Sequence, residues 1–170
     1  MEISFDATTI NRQVEGLAAS HQLLLERLGG LTDDMVARPS LLPEWTVGHV
    51  LAHIAHQGDS VTRLFHSAEL GEVVDQYEGG FAARVAAIER DASRSANEHV
   101  AGVRRSIYAL EGAIAGAREG WYGSARMVSG VEVKCRMMSY HDLMHKFNSE
   151  WLITYDKIER GISICRSLGI

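Results

Sequence analysis

Hydrophobic residues recur along most of the chain at the three-to-four-residue spacing of amphipathic helices, and no segment keeps the alternation of a half-buried strand. The spacing predicts four long helices and a shorter one. The long helices cover about residues 8–28, 46–68, 93–117 and 134–161, the short one lies near residues 81–90, and a tail helix ends at residue 168. We therefore expect an all-α fold, a four-helix bundle with long crossover connections.

Local signals mark the ends of these helices. Gly29 and Gly30 end the first helix, and Thr46 is expected to be the N-cap of the second. The connections at residues 69–80 and 118–132 both contain glycines. No internal repeat and no second domain is indicated, so we expect a single domain over residues 1–170.

Composition narrows the class of protein. With 46% hydrophobic and 23% charged residues, the 170-residue chain resembles an ordinary soluble domain. The net charge of −5 argues against nucleic acid as a partner. No stretch approaches the roughly 18 apolar residues of a membrane span, and no signal peptide is indicated. We expect a cytoplasmic monomer or homodimer in which Cys135 and Cys165 are buried free thiols.

Two histidines of the fourth predicted helix indicate a metal site. His141 and His145 are four residues apart within an apolar arc, so their rings project from adjacent turns of one face. Unpaired buried imidazoles are costly, and one divalent metal ion would satisfy both. Two separately hydrogen-bonded core histidines are the alternative.

A third ligand is expected from the second helix, which carries His49, His53 and His56. His53 lies at the edge of the apolar stripe, whereas the other two are expected to face solvent. Three imidazoles leave an open coordination position, as in catalytic zinc sites, although nickel, manganese and iron remain possible. His21 is expected in the core or along a pocket, and His66 and His99 are expected to be peripheral.

Three motifs resemble a known family. Residues 43–55, PEWTVGHVLAHIA, are similar to the helix-two signature of the mycothiol-dependent maleylpyruvate isomerase N-terminal domain, within the DinB-like superfamily. Residues 77–84, YEGGFAAR, resemble that family's crossover, and residues 141–145, HDLMH, resemble the HDLxH pattern of DinB-type proteins. The resemblance implies a four-helix bundle with a metal held by one ligand from helix two and two from helix four, which correspond to His53, His141 and His145.

The sequence departs from the isomerases at His141, where they use glutamate. A third neutral ligand leaves the site one charge more positive, which makes a bound thiol or water more acidic. The isomerases also carry a C-terminal domain beyond the region of resemblance, and this leaves the organic substrate open.

The resemblance implies a small thiol, mycothiol or another, as cosubstrate. A metal deprotonates such a thiol, and the thiolate adds to an electron-poor cis-alkene; rotation and elimination then give cis–trans isomerisation. If the adduct does not collapse, the enzyme is an S-transferase that conjugates an electrophile. A non-catalytic metal-binding bundle is the third hypothesis.

Other candidate residues surround the predicted metal. Arg84 belongs to the crossover motif and is a candidate for holding an anionic substrate, or else a solvated surface arginine. Tyr140, Asn148 and Asp142 are candidates for contacts around the thiol and the metal ligands, with simple helix packing as the alternative. Two tryptophans, Trp45 and Trp121, are expected to anchor loops.

Overall fold

The fold is all-α, as predicted. The computed structural model describes residues 7–40, 42–117, 123–126 and 132–134, without the side chains of residues 7–13, 133 and 134. Over this part of the chain it has five helices and one antiparallel ribbon of two short strands. These elements are α1 (Ala7–Leu28), α2 (Asp33–Val36), α3 (Val47–Glu69), α4 (Gly80–Asp91), α5 (Ala96–Gly116), β1 (Ser124–Arg126) and β2 (Glu132–Lys134).

The first three predicted long helices correspond to α1, α3 and α5, and the short predicted helix is α4. Thr46 is the N-cap of α3, as expected, and its hydroxyl accepts the His49 backbone N–H. Ser95 caps α5 in the same way, so that helix begins three residues later than predicted. In both cases a side-chain oxygen satisfies a backbone donor that has no partner inside the helix.

The ribbon corrects the prediction for the region near residue 134. Lys134 lies in β2 and pairs with Ser124 of β1, so no helix begins there. Strands of three residues are too short to produce a recognisable alternation of apolar and polar positions. The remainder of the predicted fourth helix, and the tail helix after it, lie outside the described residues.

The core lies mainly between α3 and α5, and α1 packs against both. One buried cluster is centred on Phe65 and includes Leu17 of α1 and Leu110 of α5. The other is centred on Leu51 and includes Leu24 and Ile107. Burial of these side chains supplies most of the driving force that holds the three helices together.

The crossover between α3 and α4 is held by backbone hydrogen bonds to the ribbon. The Gln76 N–H donates to the Arg126 carbonyl at 2.7 Å, and the Arg126 N–H donates to the Val74 carbonyl at 3.1 Å. Gly79 and Gly80 then adopt φ values of 75° and 73°, which glycine reaches without steric cost. These contacts fix where α4 begins.

None of the described helices is both long enough and apolar enough to span a lipid bilayer.

Candidate functional site

A polar stripe on α3 faces α4 and the crossover. It consists of His49, His53 and Gln57, which are spaced four residues apart and therefore share one face of the helix. All three side chains are half-buried. The apolar residues of the α3–α5 core lie on the neighbouring face of α3, so the stripe lies at the border between core and crossover.

His53 lies at the centre of the stripe and contacts Arg84 of α4. The Arg84 Nη2 donates a hydrogen bond to His53 Nδ1 at 3.0 Å. Trp45 closes the other side, with its ring centroid 5.7 Å from that of His53 in an edge-on arrangement. Two residues from separate predicted motifs, 31 positions apart, thus meet in one place.

The Arg84 guanidinium also contacts two aromatic rings of the crossover. It lies 5.4 Å from the centre of the Tyr77 ring and 5.8 Å from that of Phe81, both within the range of cation–π attraction. In the described part of the chain, no carboxylate pairs with Arg84. Because no carboxylate of the described residues neutralises it, this half-buried guanidinium is suited to binding an anionic group.

His49 is held by the helix start rather than exposed. Its Nδ1 accepts the Thr46 backbone N–H at 3.1 Å, and its Nε2 donates to Glu89 of α4 at 3.2 Å. Only 16% of the side chain is exposed, so the prediction that His49 faces solvent is wrong. The partner that covers it, Glu89, is 40 residues away and could not be inferred from periodicity.

Gln57 completes the stripe through the crossover. The Tyr77 hydroxyl donates a short hydrogen bond to the Gln57 side-chain oxygen. Gln57 and Glu89 were not among the predicted site residues. Gln57 follows His53 by one helical turn, and Tyr77 opens the YEGGFAAR motif, so both positions carried a signal in the sequence.

A second polar cluster lies beside the end of α4. His56 Nε2 donates to Asp91 at 2.8 Å, and Arg90 and Arg94 donate to the same carboxylate at 2.8 and 3.0 Å. Burial alone would raise the pKa of Asp91, but the hydrogen bond from Arg90 and the charge of Arg94 outweigh it and lower that pKa. His56, expected to face solvent, instead helps to attach α4 to α3.

A cavity of about 180 Å³ opens next to this cluster, lined by residues of α3, α4 and α5. His99 lines it and is only 3% exposed, so the expectation that His99 is peripheral is wrong. Its Nε2 donates to the Ala92 carbonyl at 3.4 Å. Burial lowers the pKa of His99, and that hydrogen bond opposes the shift without reversing it.

His21 is buried, as one of the two interpretations predicted. Its Nδ1 lies 2.8 Å from Glu111 Oε1, which links α1 to α5. Burial lowers the pKa of His21, and the hydrogen bond and negative charge of Glu111 only partly offset this effect. The ring is therefore neutral at pH 7 and donates its Nδ1–H to the carboxylate. His66, by contrast, is exposed, as expected.

Most of the predicted metal site lies outside the part of the chain that the structure describes. His141, His145, Tyr140 and Asn148 lie outside the described residues, as do Asp142 and Trp121. Among the residues that are described, no three histidine, cysteine or carboxylate side chains form a group able to hold a metal ion.

The observed contact of His53 does not match that of a metal ligand. An arginine only donates hydrogen bonds, so Nδ1 of His53 is an acceptor and Nε2 of the neutral ring carries the proton. A metal-bound histidine gives one lone pair to the metal and donates its other N–H to an acceptor. His53 therefore fits a metal only if the Arg84 contact is broken.

A comparison with models of protein families gives one match. The model of the mycothiol maleylpyruvate isomerase N-terminal domain matches residues 17–144. No curated protein matches the chain significantly.

Two solved structures share the fold. One is the mycothiol-dependent maleylpyruvate isomerase, with a TM-score of 0.71 and 20% identity over 80% of this chain and 58% of that one. The other is a histidine-to-alanine mutant of an enzyme with that name, with a TM-score of 0.71 and 18% identity over 76% of this chain and 54% of that one. The chain thus aligns with little more than half the length of either structure.

Proposed function

The chain belongs to the mycothiol maleylpyruvate isomerase N-terminal domain family, and on this basis we propose that it is a thiol-dependent isomerase. Its cosubstrate is mycothiol or a similar small thiol. Its substrate is an electron-poor cis-alkene that carries a carboxylate. The thiolate adds to the alkene, the new single bond rotates, and elimination returns the thiol unchanged.

The contact between Arg84 and His53 is the observation that best supports this proposal. It places the Arg84 guanidinium beside His53, the histidine of the family motif. Among the described residues, no carboxylate pairs with this guanidinium. Guanidinium groups bind carboxylates through two parallel hydrogen bonds. Arg84 would hold the substrate carboxylate and stabilise the negative charge that develops when the thiolate adds. The rings of Tyr77 and Phe81 would keep the guanidinium in position.

We further propose that His53, His141 and His145 hold a divalent metal, with zinc favoured. A metal bound there would lower the pKa of the thiol and supply thiolate at neutral pH. Tyr140 and Asn148 are proposed to contact the thiol cosubstrate. The proposed metal site requires His53 to give up its hydrogen bond from Arg84.

A thiol S-transferase is the second candidate. It is favoured by His141, which stands where the isomerases have glutamate and makes the proposed site one charge more positive. A more positive site lowers the pKa of a bound thiol further and so supplies more thiolate for attack on an electrophile.

One assay separates the two reactions. The purified protein is incubated with zinc, mycothiol and a panel of cis-enones with and without a carboxylate, and the products are followed by NMR. The isomerase predicts a trans product with intact thiol, and the S-transferase predicts a stable thioether. Absence of both reactions with any small thiol would refute the enzymatic proposals.

Metal analysis tests the site independently of the substrate. We expect about one zinc per chain in the wild type and a strong loss in His53→Ala and His145→Ala. His66→Ala is the matched control, because His66 is exposed on the same helix as His53. Equal metal content in all four proteins would show that the three histidines do not form a metal site.

A further inference from the structure

The cavity between α3, α4 and α5 is distinct from the Arg84 site, because His53, Tyr77 and Arg84 do not line it. At about 180 Å³ it is smaller than the roughly 300–1,000 Å³ pockets that hold drug-sized ligands, so it suits a small molecule or ion. Small residues such as Ala55 and Gly102 leave this space open. A Cβ atom added to Gly102 would meet no atom within 4 Å.

Two of the arginines that line the cavity share one buried carboxylate. Arg90 Nε lies 2.8 Å from Asp91 Oδ1, and Arg94 Nη2 lies 3.0 Å from the same oxygen. The other oxygen, Oδ2, accepts from His56 at 2.8 Å and from Arg90 Nη2 at 3.2 Å. These donors occupy the lone pairs of the carboxylate, and its single negative charge faces two guanidinium charges. Both arginines keep N–H groups that Asp91 does not use.

A third arginine, Arg105 of α5, lines the cavity with a weaker partner. Its Nη2 lies 3.5 Å from Asp59 Oδ2, and both side chains are exposed, so this ion pair contributes little. The remaining carboxylate of the lining, Glu98, accepts the Ser95 N–H at 2.9 Å and the Ser95 hydroxyl at 2.7 Å. It is thereby held at the start of α5. The lining therefore offers more guanidinium donors than its carboxylates accept.

We propose that this cavity binds a small oxyanion, a phosphate or a carboxylate group, between Arg94 and Arg105. An oxyanion supplies the acceptors that these guanidinium groups lack, and guanidinium groups bind both kinds of anion through paired hydrogen bonds. The bound anion would connect the turn after α4 to α5. This second site does not depend on the thiol chemistry proposed above, because none of the residues proposed for that chemistry lines the cavity.

The first experiment measures binding of inorganic phosphate by calorimetry, at an ionic strength held constant with sodium chloride. We expect saturable binding to the wild type. Arg105→Gln should bind phosphate about tenfold more weakly, which is the effect of losing one charge-assisted hydrogen bond. Arg104→Gln is the matched control and should bind like the wild type, because Arg104 is exposed on the same helix but does not line the cavity.

A second variant should change the affinity in the opposite direction. Asp59→Asn removes the carboxylate that competes with the anion for Arg105, so phosphate binding should become several-fold tighter. A variant that merely disturbs the fold would not bind more tightly. The opposite effects of Asp59→Asn and Arg105→Gln therefore separate a binding site from a structural role, and circular dichroism checks that each variant is folded.

Backbone amide NMR identifies where the anion binds. Phosphate should shift the signals of Ala55 and Gly102, which line the cavity, and leave those of Gly79 and Gly80 in the crossover unchanged. The same titration with acetate distinguishes the two kinds of ligand. Tighter binding of phosphate would assign the site to a phosphoryl group, and tighter binding of acetate would assign it to a carboxylate.

Two outcomes would overturn the second site. One is the absence of saturable binding for both anions, or an equal loss of affinity in Arg105→Gln and Arg104→Gln. The other is a loss of binding in Arg84→Met but not in Arg105→Gln. That result would place the anion at the Arg84 guanidinium, in agreement with the proposed function, and would refute an oxyanion site in the cavity.

Discussion

Three histidines of α3, His49, His53 and His56, each contact a different residue of α4, and this residue determines the role of the ring. His49 and His56 face the carboxylates of Glu89 and Asp91, which accept a ring N–H. His53 faces the guanidinium of Arg84, which takes a ring lone pair instead. His49 and His56 thus attach α4 to α3, whereas His53 makes the contact that is a candidate for function.

The periodicity of the sequence predicts which of these histidines lies nearest the core, but it does not predict which side chains they contact. It singled out His53 at the core edge, and it assigned His49 and His56 to solvent because both lie away from the apolar stripe of α3. The structure covers that side with α4, whose contacting residues are 35 and 40 positions further along the chain. Only the fold brings such distant side chains together.

Substitution of Arg84 should weaken catalysis of carboxylate substrates. We expect Arg84→Met to lower kcat/KM about 100-fold for a carboxylate-bearing cis-enone, because the paired hydrogen bonds to the anion are lost. Arg84→Lys should recover part of the loss, since it keeps the charge but not the fork of donors. Steady-state kinetics with an uncharged enone supply the control; an equal loss with that substrate would contradict anion binding by Arg84.

Glu111 should stabilise the protein through the buried ring of His21. Glu111→Gln keeps an oxygen that accepts the Nδ1–H and should change the free energy of unfolding little. Glu111→Leu removes this acceptor and should cost about 1–3 kcal/mol. Denaturant unfolding of both variants in chelator measures the difference, and equal stability would mean that the hydrogen bond contributes nothing.

At the scale of elements, α3 and α5 approach closely at Gly58. A Cβ atom at this position would lie 2.6 Å from the Ser106 hydroxyl oxygen and 3.2 Å from its Cβ. Ser106 is itself fully buried on α5, so it has little room to move. The glycine therefore permits the close packing of these two long helices.

Gly58→Ala should destabilise the fold by about 1–3 kcal/mol, the usual cost of overpacking a buried interface. Gly102→Ala on α5 is the matched control, because no atom lies within 4 Å of a Cβ added there. That change should be neutral or stabilising by up to about 1 kcal/mol, since alanine favours helix. Thermal and denaturant unfolding measure both stabilities. An equal change in the two variants would contradict the claim that α3 and α5 need a glycine at position 58.

Helix positions were largely predictable because their signals are local. Thr46 precedes its helix directly, and the apolar stripes of α1, α3 and α5 run over many turns. The ribbon was missed because pairing of Ser124 with Lys134 is a contact between short segments without their own periodicity. The four-residue helix α2 was not predicted because it is also too short to show a periodic pattern.

At the scale of the whole molecule, stability should fall in mild acid. His21 and His99 both have pKa values lowered by burial from the ordinary value of 6.5. Below pH 6.5 these two histidines bind protons in the unfolded chain more readily than in the folded chain. The free energy of unfolding therefore decreases as pH falls. The lowered pKa of Asp91 contributes a further loss only below its ordinary value of 3.8.

Urea unfolding between pH 7.5 and 5, in chelator, measures this dependence. His21→Gln and His99→Gln should each flatten the curve, because glutamine does not titrate. The exposed His66→Gln is the control and should leave the slope as it is. An unchanged slope in the first two variants would show that these buried rings do not control the acid sensitivity.

The described site also has a consequence for the order of folding. Its contacts between α3 and α4 close loops of 31 to 40 residues, whereas the pair of His21 and Glu111 spans 90. Loop-closure entropy rises with the logarithm of length, at about 0.6 kcal/mol per doubling. The α3–crossover–α4 unit therefore closes at a smaller entropic cost than the contact of α1 with α5. The contact of Arg84 with His53 therefore costs less chain entropy to form than the contact of His21 with Glu111, which docks the N-terminal helix.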